Sequence, residues 1–127
     1  PPFSIAVVDD DDSVREALES LLKSRSFKVD SYSAAEDFLS SPRITTTDCL
    51  ILDVKLEGMS GLALQQELTA ARYSVPIIFV TAYAEDSLRT QVIAAGAIDC
   101  FIKPFDDDAL LAAVELAVTA RRSGAWS

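Results

Sequence analysis

The stretch IAVVDDDDSVREALESLL, residues 5–22, joins a short apolar run to a segment of helical periodicity. The run IAVVD (5–9) predicts a strand, because it is short, apolar and β-like in composition. From Val14 onward, apolar residues recur at i, i+3, i+4, i+7 and i+8, which places them on one face of a helix. Ser13, with Glu16 three residues later, matches a capping box and predicts that this helix begins there. The stretch therefore predicts one strand–helix unit.

The same alternation recurs four more times along the chain. Ser33 and Glu36 repeat the capping-box pattern before a short second helix, Gly96 is a natural end for the fourth helix, and the fifth begins near Asp106. The first, third and fourth strand runs are almost continuously apolar, which is typical of a parallel sheet that is covered on both faces. We therefore predict an α/β fold with a five-stranded, doubly wound (βα)5 parallel sheet. The other predicted strands are FKVDSY (27–32), CLILD (49–53), PIIFVTA (76–82) and CFIK (100–103).

Composition restricts the class of protein and the kind of site. With 127 residues the chain fits one domain, and its net charge of −9 and pI near 4.3 argue against direct binding to nucleic acid or to an anionic membrane. The chain has no histidine, and Cys49 and Cys100 lack a metal-ligand spacing, so we expect buried free thiols and no zinc site. No apolar run is long enough to cross a bilayer and the N-terminus lacks the features of a signal peptide, so we expect a cytoplasmic protein.

Polar side chains follow four predicted strands at their carboxyl ends, where open parallel sheets bind ligands: Asp9 and Asp10, Asp53, Thr81, and Lys103. Two carboxylates 4 Å apart repel by roughly 4 kcal/mol at an effective dielectric constant of 20, so this crowding favours a bound cation. Mg²⁺, for which Mn²⁺ can substitute, prefers oxygen ligands of this kind. Asp53 is then a candidate nucleophile toward phosphorus. We assign Asp11 and Asp12, which complete the acidic run, to the start of the first helix.

Four motifs, each at the end of a predicted strand, carry a family resemblance. The segments VVDD, LILDVKLEGMSGL, PIIFVTA and AGAIDCFIKPF occur in this order, and the chain resembles the receiver (CheY-like) domain of two-component response regulators. VDDDDSVREALESLL, LDVKLEGMSGL and KPFDDDAL look most like FixJ-type regulators. The resemblance implies a flavodoxin-like strand order 2-1-3-4-5, a receiver domain over residues 1–122, and a tail or linker stub over 123–127.

The resemblance also implies roles for the acidic residues. Asp53 would accept a phosphoryl group from a sensor histidine kinase. Asp10 and Asp53 would bind Mg²⁺ directly, Asp9 would do so through a water molecule, and the backbone carbonyl of Lys55 would be a further ligand.

A second group of residues would hold the phosphoryl group. The resemblance implies that Lys103 pairs with Asp53 and then with the phosphoryl oxygens, and that the Thr81 hydroxyl and the Ala82 backbone NH join it. Pro104 would follow a cis peptide bond. Because charge develops on the phosphoryl oxygens, catalysis here is mainly positioning and neutralisation.

The most serious departure from the family pattern lies in the predicted fifth strand. Many receivers have an aromatic residue three positions before the lysine, where this chain has Cys100. Phe101 is expected on the opposite face of the strand, because side chains alternate. We expect Tyr83 to report the switch in its place, and Tyr83 and Lys55 to flank the path of the hydrolytic water.

We therefore expect a phosphorylation-dependent switch that turns over no external substrate. Phosphorylation would alter the face of helix 4, strand 5 and helix 5, where relatives form homodimers or contact an output domain, here a C-terminal DNA-binding domain that controls transcription. Three alternatives stay open: a single-domain relay receiver, a constitutive docking module, and a haloacid-dehalogenase-like phosphohydrolase. The last wants a second aspartate two residues after its nucleophile, where this chain has Lys55.

Overall fold

Strands and helices alternate along the chain, as the periodicity predicts. The computed structural model describes residues 2–82 and 86–123. Its strands are β1 (Ser4–Val8), β2 (Lys28–Tyr32), β3 (Cys49–Asp53), β4 (Ile77–Thr81) and β5 (Asp99–Ile102). Its helices are α1 (Asp12–Lys23), α2 (Ala35–Leu39), α3 (Gly61–Ala70), α4 (Asp86–Ala94) and α5 (Asp107–Arg122), and a 3₁₀ turn covers Ile44–Thr46.

The five strands form one parallel sheet in the order β2-β1-β3-β4-β5, which confirms the predicted fold class and strand order. Every predicted strand is present, and its ends lie within one residue of the prediction. In register, Val8 lies beside Leu52 and Asp53 lies beside Val80. The chain reverses its direction of winding between β1 and β3, so the ends of these two strands form the switch point where such sheets bind ligands.

Helices cover both faces of the sheet, which explains why the strand sequences are almost continuously apolar. One face packs against α1 and α5, and the other packs against α2, α3 and α4. Cys100 belongs to the second cluster and Phe101 packs against the first, so the predicted alternation along β5 is confirmed. Cys49 and Cys100 are buried free thiols, also as predicted. The first face carries Ile5, Val7, Cys49, Ile51, Ile78 and Val80, and the second carries Ala6, Val8, Leu50, Leu52, Phe79 and Cys100.

The start of α1 differs from the predicted capping box. The carboxylate of Asp11 accepts hydrogen bonds from the backbone NH groups of Ser13 at 2.9 Å and Val14 at 3.3 Å, so Asp11 is the N-cap and the helix begins at Asp12. The predicted cap at Ser13 is wrong, because a carboxylate two residues earlier already satisfies the first free amides. The assignment of Asp11 and Asp12 to the helix start is confirmed.

The capping box predicted for α2 is also wrong. Ala34 occupies the N-cap position without a side-chain hydrogen bond. Glu36, the expected partner of Ser33, instead accepts a hydrogen bond at 3.4 Å from the backbone NH of Met59 in the loop after β3. A long carboxylate side chain can reach a loop that is distant in sequence, which the local pattern cannot reveal.

The predicted helix boundaries at Gly96 and Asp106 are confirmed. Gly96 has a φ of +108°, its NH donates to Ile93 O, and the NH of Ala97 donates to Val92 O, both at 3.0 Å. These two bonds form a Schellman motif, which satisfies the last carbonyls of α4. The carboxylate of Asp106 accepts from the NH of Ala109 at 2.9 Å and caps α5.

A buried ion-pair cluster ties the end of α5 to the amino-terminal edge of the sheet. Asp48 is 0% exposed, and its carboxylate accepts a hydrogen bond from the NH of Ser4 at 2.8 Å. It also accepts one bond from Arg121 and two from Arg122, all at 2.9 Å. The Arg122 guanidinium lies 4.8 Å from the centroid of the Phe3 ring. The cluster therefore joins β1, β3 and α5 at the edge of the sheet opposite to the strand ends that carry Asp9 and Asp53.

Among the helices of the described segments, none combines the length and the apolar character that crossing a membrane requires.

Candidate functional site

The loop between β1 and α1 carries two neighbouring carboxylates that differ in burial. Asp9 is 0% exposed, whereas Asp10 is exposed. The NH of Asp11 donates to Asp9 Oδ1 at 2.9 Å, and the NH of Asp9 donates to Tyr32 O at 3.1 Å. Arg15, on the first turns of α1, donates from Nη1 to the backbone carbonyl of Asp9 at 2.7 Å. These bonds hold Asp9 inward and leave Asp10 at the surface of the same loop.

Asp53 is the last residue of β3 and is 6% exposed. Its Oδ1 accepts a hydrogen bond at 3.3 Å from the backbone NH of Lys55, so the loop after the strand folds around the carboxylate. The start of α3 packs directly against this strand end: a Cβ added to Gly61 would lie 2.1 Å from the backbone oxygen of Asp53. The approach leaves no room for a side chain.

The glycines of this loop serve two different purposes. Gly58 has a φ of +75°, in the left-handed region that glycine adopts without strain, whereas Gly61 has no positive φ. Gly61 is instead needed for close approach to the strand end, because an added Cβ would collide with the backbone there.

Lys103 connects the two strand ends. Its ammonium Nζ lies 2.9 Å from Asp9 Oδ2 and 3.2 Å from Asp53 Oδ2. The Lys103–Pro104 peptide bond is cis, as predicted, and the backbone NH of Lys103 donates to Thr81 O at 2.7 Å. The sequence indicates the approach to Asp53. It does not reveal the shorter contact to Asp9, which joins residues 94 positions apart.

The three carboxylates form a cluster with the chemistry of a cation site. One oxygen from each of Asp9, Asp10 and Asp53 lies within 4.8 Å of the others. With all three ionised, these carboxylates carry three negative charges, and the ammonium of Lys103, which pairs with Asp9 and Asp53, offsets one of them. A hard divalent cation, which prefers a few carboxylate oxygens and water, fits such a donor set.

Burial and charge act on Asp53 in opposite directions. Burial, together with the charge of Asp9, raises the pKa of Asp53 to about 6, although Lys103 and the NH of Lys55 oppose the shift. For Lys103, burial lowers the pKa, but the hydrogen bond that its ammonium donates to Asp9 and the charges of both carboxylates outweigh this effect, so the pKa of Lys103 lies above its usual value. The lysine therefore stays charged, and a further cation would favour the ionised form of Asp53.

Thr81 and Ala82 lie at the neighbouring strand end. Thr81 closes β4 and is 1% exposed, and Ala82 follows it at the surface. Because Asp53 lies beside Val80 in register, Thr81 continues one position further along the adjacent strand. Thr81 therefore ends at the same edge of the sheet as Asp53, and the roles of its hydroxyl and of the Ala82 NH stay a prediction. Tyr83 lies outside the described residues.

The position of the missing aromatic residue is filled by a small buried side chain. Cys100 is 3% exposed and packs in the core cluster with Val92 of α4. Arg89 of α4 donates to the backbone carbonyl of Cys100 at 2.6 Å and pairs with the Asp99 carboxylate at 2.9 Å. Helix α4 is therefore joined to β5 at this position by both apolar and charged contacts.

These strand ends and the fold that positions them match a known family along most of the chain. Residues 5–115 match the response regulator receiver domain. The chain belongs to this family. The receiver shares 40% identity over 114 residues with the response regulator protein TodT of Pseudomonas putida, across 90% of this chain and 50% of that protein.

Two further comparisons support the predicted subgroup and the fold. The transcriptional regulatory protein FixJ of Azorhizobium caulinodans is 38% identical over 110 residues, which are 87% of this chain and 52% of FixJ. The solved structure of the response regulator StyR is 40% identical, with a TM-score of 0.90, over 97% of this chain and 62% of that one. The receiver thus spans about half the length of the curated relatives it matches.

Sequence reasoning missed one residue of this site. Arg15 contacts the backbone of Asp9 and the side chain of Asp12. The sequence pattern indicates only that it belongs to the first helix. The i, i+3 spacing of Asp12 and Arg15 is a signal that could have identified it.

Proposed function

We propose that this receiver accepts a phosphoryl group on Asp53 from the phosphohistidine of a sensor histidine kinase, and that the modification switches its conformation. The observation that carries the proposal is the Lys103 ammonium, which bridges Asp9 and Asp53 within an acidic cluster at the switch point of the sheet. A buried carboxylate at this position would be costly without a partner of opposite charge. Family membership in response regulator receivers supports the same reaction.

The carboxylate cluster supports a Mg²⁺ site, for which Mn²⁺ can substitute. Asp10 and Asp53 would bind the ion directly, Asp9 through water, and the backbone carbonyl of Lys55 would complete the protein ligands. All of these donors are oxygen atoms, which fits a hard cation. When bound, the ion supplies positive charge against the phosphoryl oxygens.

The reaction forms one bond and breaks another. A carboxylate oxygen of Asp53 attacks phosphorus, the bond from phosphorus to the histidine nitrogen breaks, and the electron pair returns to the imidazole ring. Lys103 then moves its hydrogen bond from Asp53 to a phosphoryl oxygen, and the Thr81 hydroxyl and the Ala82 NH donate to the others. Because the transition state spreads charge over these oxygens, positioned donors are the main contribution of the protein.

The output surface is proposed to be the face of α4, β5 and α5. Ile93, Ile102 and Leu116 on these three elements are exposed large apolar residues, at 40%, 45% and 71%. Phosphorylation would shift a pre-existing equilibrium of this face toward a form that binds a second copy or an output domain. In a cytoplasmic regulator with a C-terminal DNA-binding domain, that shift would control transcription, which the names and greater length of relatives such as FixJ support.

Residues near Asp53 would set the lifetime of the phosphoryl group, and no external substrate would be turned over. Lys55 and Tyr83 would modulate the approach of the hydrolytic water, and Cys100 would change how the switch is transmitted through β5. The receiver would assist its own phosphorylation and dephosphorylation without consuming a metabolite. With a net charge of −9, the receiver would leave DNA contact to another domain.

The test uses acetyl phosphate as the phosphodonor in the presence of Mg²⁺. Intact-protein mass spectrometry should show the mass of one added phosphoryl group on the wild-type chain, and chelation of the metal should abolish it. Asp53→Asn should not be labelled. Asp37→Asn, a change at an exposed aspartate of α2, is the matched control and should label as well as wild type.

Two results would contradict the proposal. Labelling of Asp53→Asn at the wild-type rate would show that another residue is the acceptor. Consumption of many equivalents of small phosphate esters per chain would instead support a phosphohydrolase.

A further inference from the structure

Arg15 spans the acidic loop from one end to the other. Its side chain is 17% exposed, although it lies on the first turns of a surface helix. One guanidinium nitrogen donates to the backbone carbonyl of Asp9 at 2.7 Å, and the other pairs with the carboxylate of Asp12. The two acceptors belong to the first and last residues of the DDDD run. Arg15 therefore fixes the distance between the end of β1 and the start of α1.

The acceptors of Arg15 matter because of what the loop carries. The carboxylate of Asp9 pairs with the ammonium of Lys103, and the next residue, Asp10, belongs to the carboxylate cluster with Asp53. A guanidinium is planar and rigid, so two of its nitrogens can hold two acceptors in a defined relative position. The backbone at Asp9 is thus held from the helix side, while the NH of Asp11 holds its carboxylate from the loop side.

We propose that Arg15 is a positioning residue for the cation and phosphoryl site. By holding the backbone carbonyl of Asp9, it keeps Asp9 directed at Lys103 and keeps Asp10 within reach of Asp53. Asp12 is the anchor that fixes the second arm of Arg15. The inference rests on the proposed function, because it assumes that the carboxylate cluster binds a divalent cation.

The alternative is that Arg15 makes an ordinary surface pair with Asp12, which is 81% exposed, and acts on the site only through its charge. The two readings make opposite predictions. A positive charge near a cation site repels the cation, so on charge alone the loss of Arg15 would tighten Mg²⁺ binding. If Arg15 acts by position, its loss weakens Mg²⁺ binding, because the carboxylates lose their arrangement.

Replacement by lysine separates position from charge. Arg15→Lys keeps the positive charge, but a compact ammonium lacks the fork that holds two acceptors in a fixed geometry. Partners that orient metal ligands typically change metal affinity about 10- to 100-fold when they are mutated. Because Arg15 acts through the backbone of Asp9 and not on a ligand atom, we expect the lower end, about 10-fold weaker Mg²⁺ binding.

The experiment measures the Mg²⁺ dissociation constant of the whole chain by isothermal titration calorimetry. Arg15→Lys should bind Mg²⁺ about 10-fold more weakly than wild type. At saturating Mg²⁺ its rate of phosphorylation by acetyl phosphate should recover toward the wild-type rate. Arg25→Lys is the matched control, because Arg25 is 49% exposed and reaches Asp108 only at 3.9 Å. Its Mg²⁺ affinity should not change.

A second variant covers the case in which lysine is poorly tolerated. Arg15→Gln removes the charge and one arm together, and it should still weaken Mg²⁺ binding, whereas the charge reading predicts tighter binding. Wild-type affinity in Arg15→Lys, or tighter binding in Arg15→Gln, would overturn the positioning role and leave the proposed function intact. Failure of the wild-type chain to bind Mg²⁺ would overturn the metal site and the positioning role together.

Discussion

Replacement of Asp48 by asparagine tests whether the buried ion-pair cluster at the end of α5 stabilises the receiver. The Asp48 carboxylate is 0% exposed and accepts hydrogen bonds from Ser4, Arg121 and Arg122. Asparagine has nearly the same shape and keeps one acceptor oxygen. It removes the charge and the second acceptor oxygen, so the two arginines at the last turn of α5 lose the negative charge that they share.

The expected loss follows from the burial of the carboxylate. Breaking a buried ion pair by removing one partner costs about 3–5 kcal/mol. Arg121 and Arg122 are partly exposed, at 27% and 39%, so they can turn toward water, and the retained acceptor of asparagine limits the loss further. We expect the free energy of unfolding to fall by about 3 kcal/mol, a large share of the roughly 5–15 kcal/mol that stabilises a domain. For a chain of this size that corresponds to a decrease in Tm of roughly 12 °C.

The loss should depend on pH in a defined direction. Burial by itself raises the pKa of Asp48, but the hydrogen bonds from Arg122 and Ser4 and the charges of both arginines outweigh it, so the pKa lies below its usual value. A group whose pKa is lower in the folded state stabilises the fold above its unfolded pKa. That stabilisation is lost as the pH falls through the folded pKa. The difference between wild type and Asp48→Asn should be complete at pH 7 and should shrink below about pH 4.

Urea unfolding followed by circular dichroism at pH 7 and at lower pH measures both effects. Asp30→Asn is the control, because Asp30 makes one ion pair with Arg43, whose side chain is 57% exposed. Such a surface pair contributes less than about 1 kcal/mol. If Asp48→Asn also loses less than about 1 kcal/mol, or if its deficit stays constant as the pH falls, the argument for a stabilising buried cluster is refuted.

Three further predictions concern two glycines and the buried thiols. Gly61→Ala should lower the free energy of unfolding by about 1–3 kcal/mol and slow the phosphorylation of Asp53, because the new Cβ would lie 2.1 Å from the Asp53 backbone oxygen. Gly96→Ala should lower the free energy of unfolding by about 1–2 kcal/mol because of the positive φ at this position. It should leave the phosphorylation rate unchanged, because an added Cβ would face open space. Equal phosphorylation rates of the two variants would contradict the packing argument. Cys49 and Cys100 should react with thiol reagents only after unfolding, since burial raises the pKa of both thiols; rapid labelling of native protein would oppose this.

The positions and ends of the strands along the chain could be predicted because that information is local, whereas the strand order in the sheet followed from the family resemblance. Apolar periodicity reports which side of an element faces the core, and five apolar runs separated by helical segments leave few arrangements open. The candidate site residues Asp53, Thr81 and Lys103 could be located in the sequence for the same reason, since each directly follows or closes a strand. The start of the first helix could not be predicted from the local pattern, because Asp11 and Ser13 both satisfy the rule for a cap. In the structure, the Asp11 carboxylate accepts the hydrogen bonds of the first free amides.

By itself, the sequence determined the alternating elements, the sheet with both faces covered, and the set of polar residues at one edge. Only the tertiary structure decided how those residues pair: Lys103 with Asp9 as well as Asp53, Arg15 with the backbone of Asp9, Arg121 and Arg122 with Asp48, and Gly61 with the end of β3. The physical reason is that periodicity depends on neighbours along the chain. Ion pairing and close approach depend on distances between residues far apart in sequence, and on which carboxylates the fold removes from water.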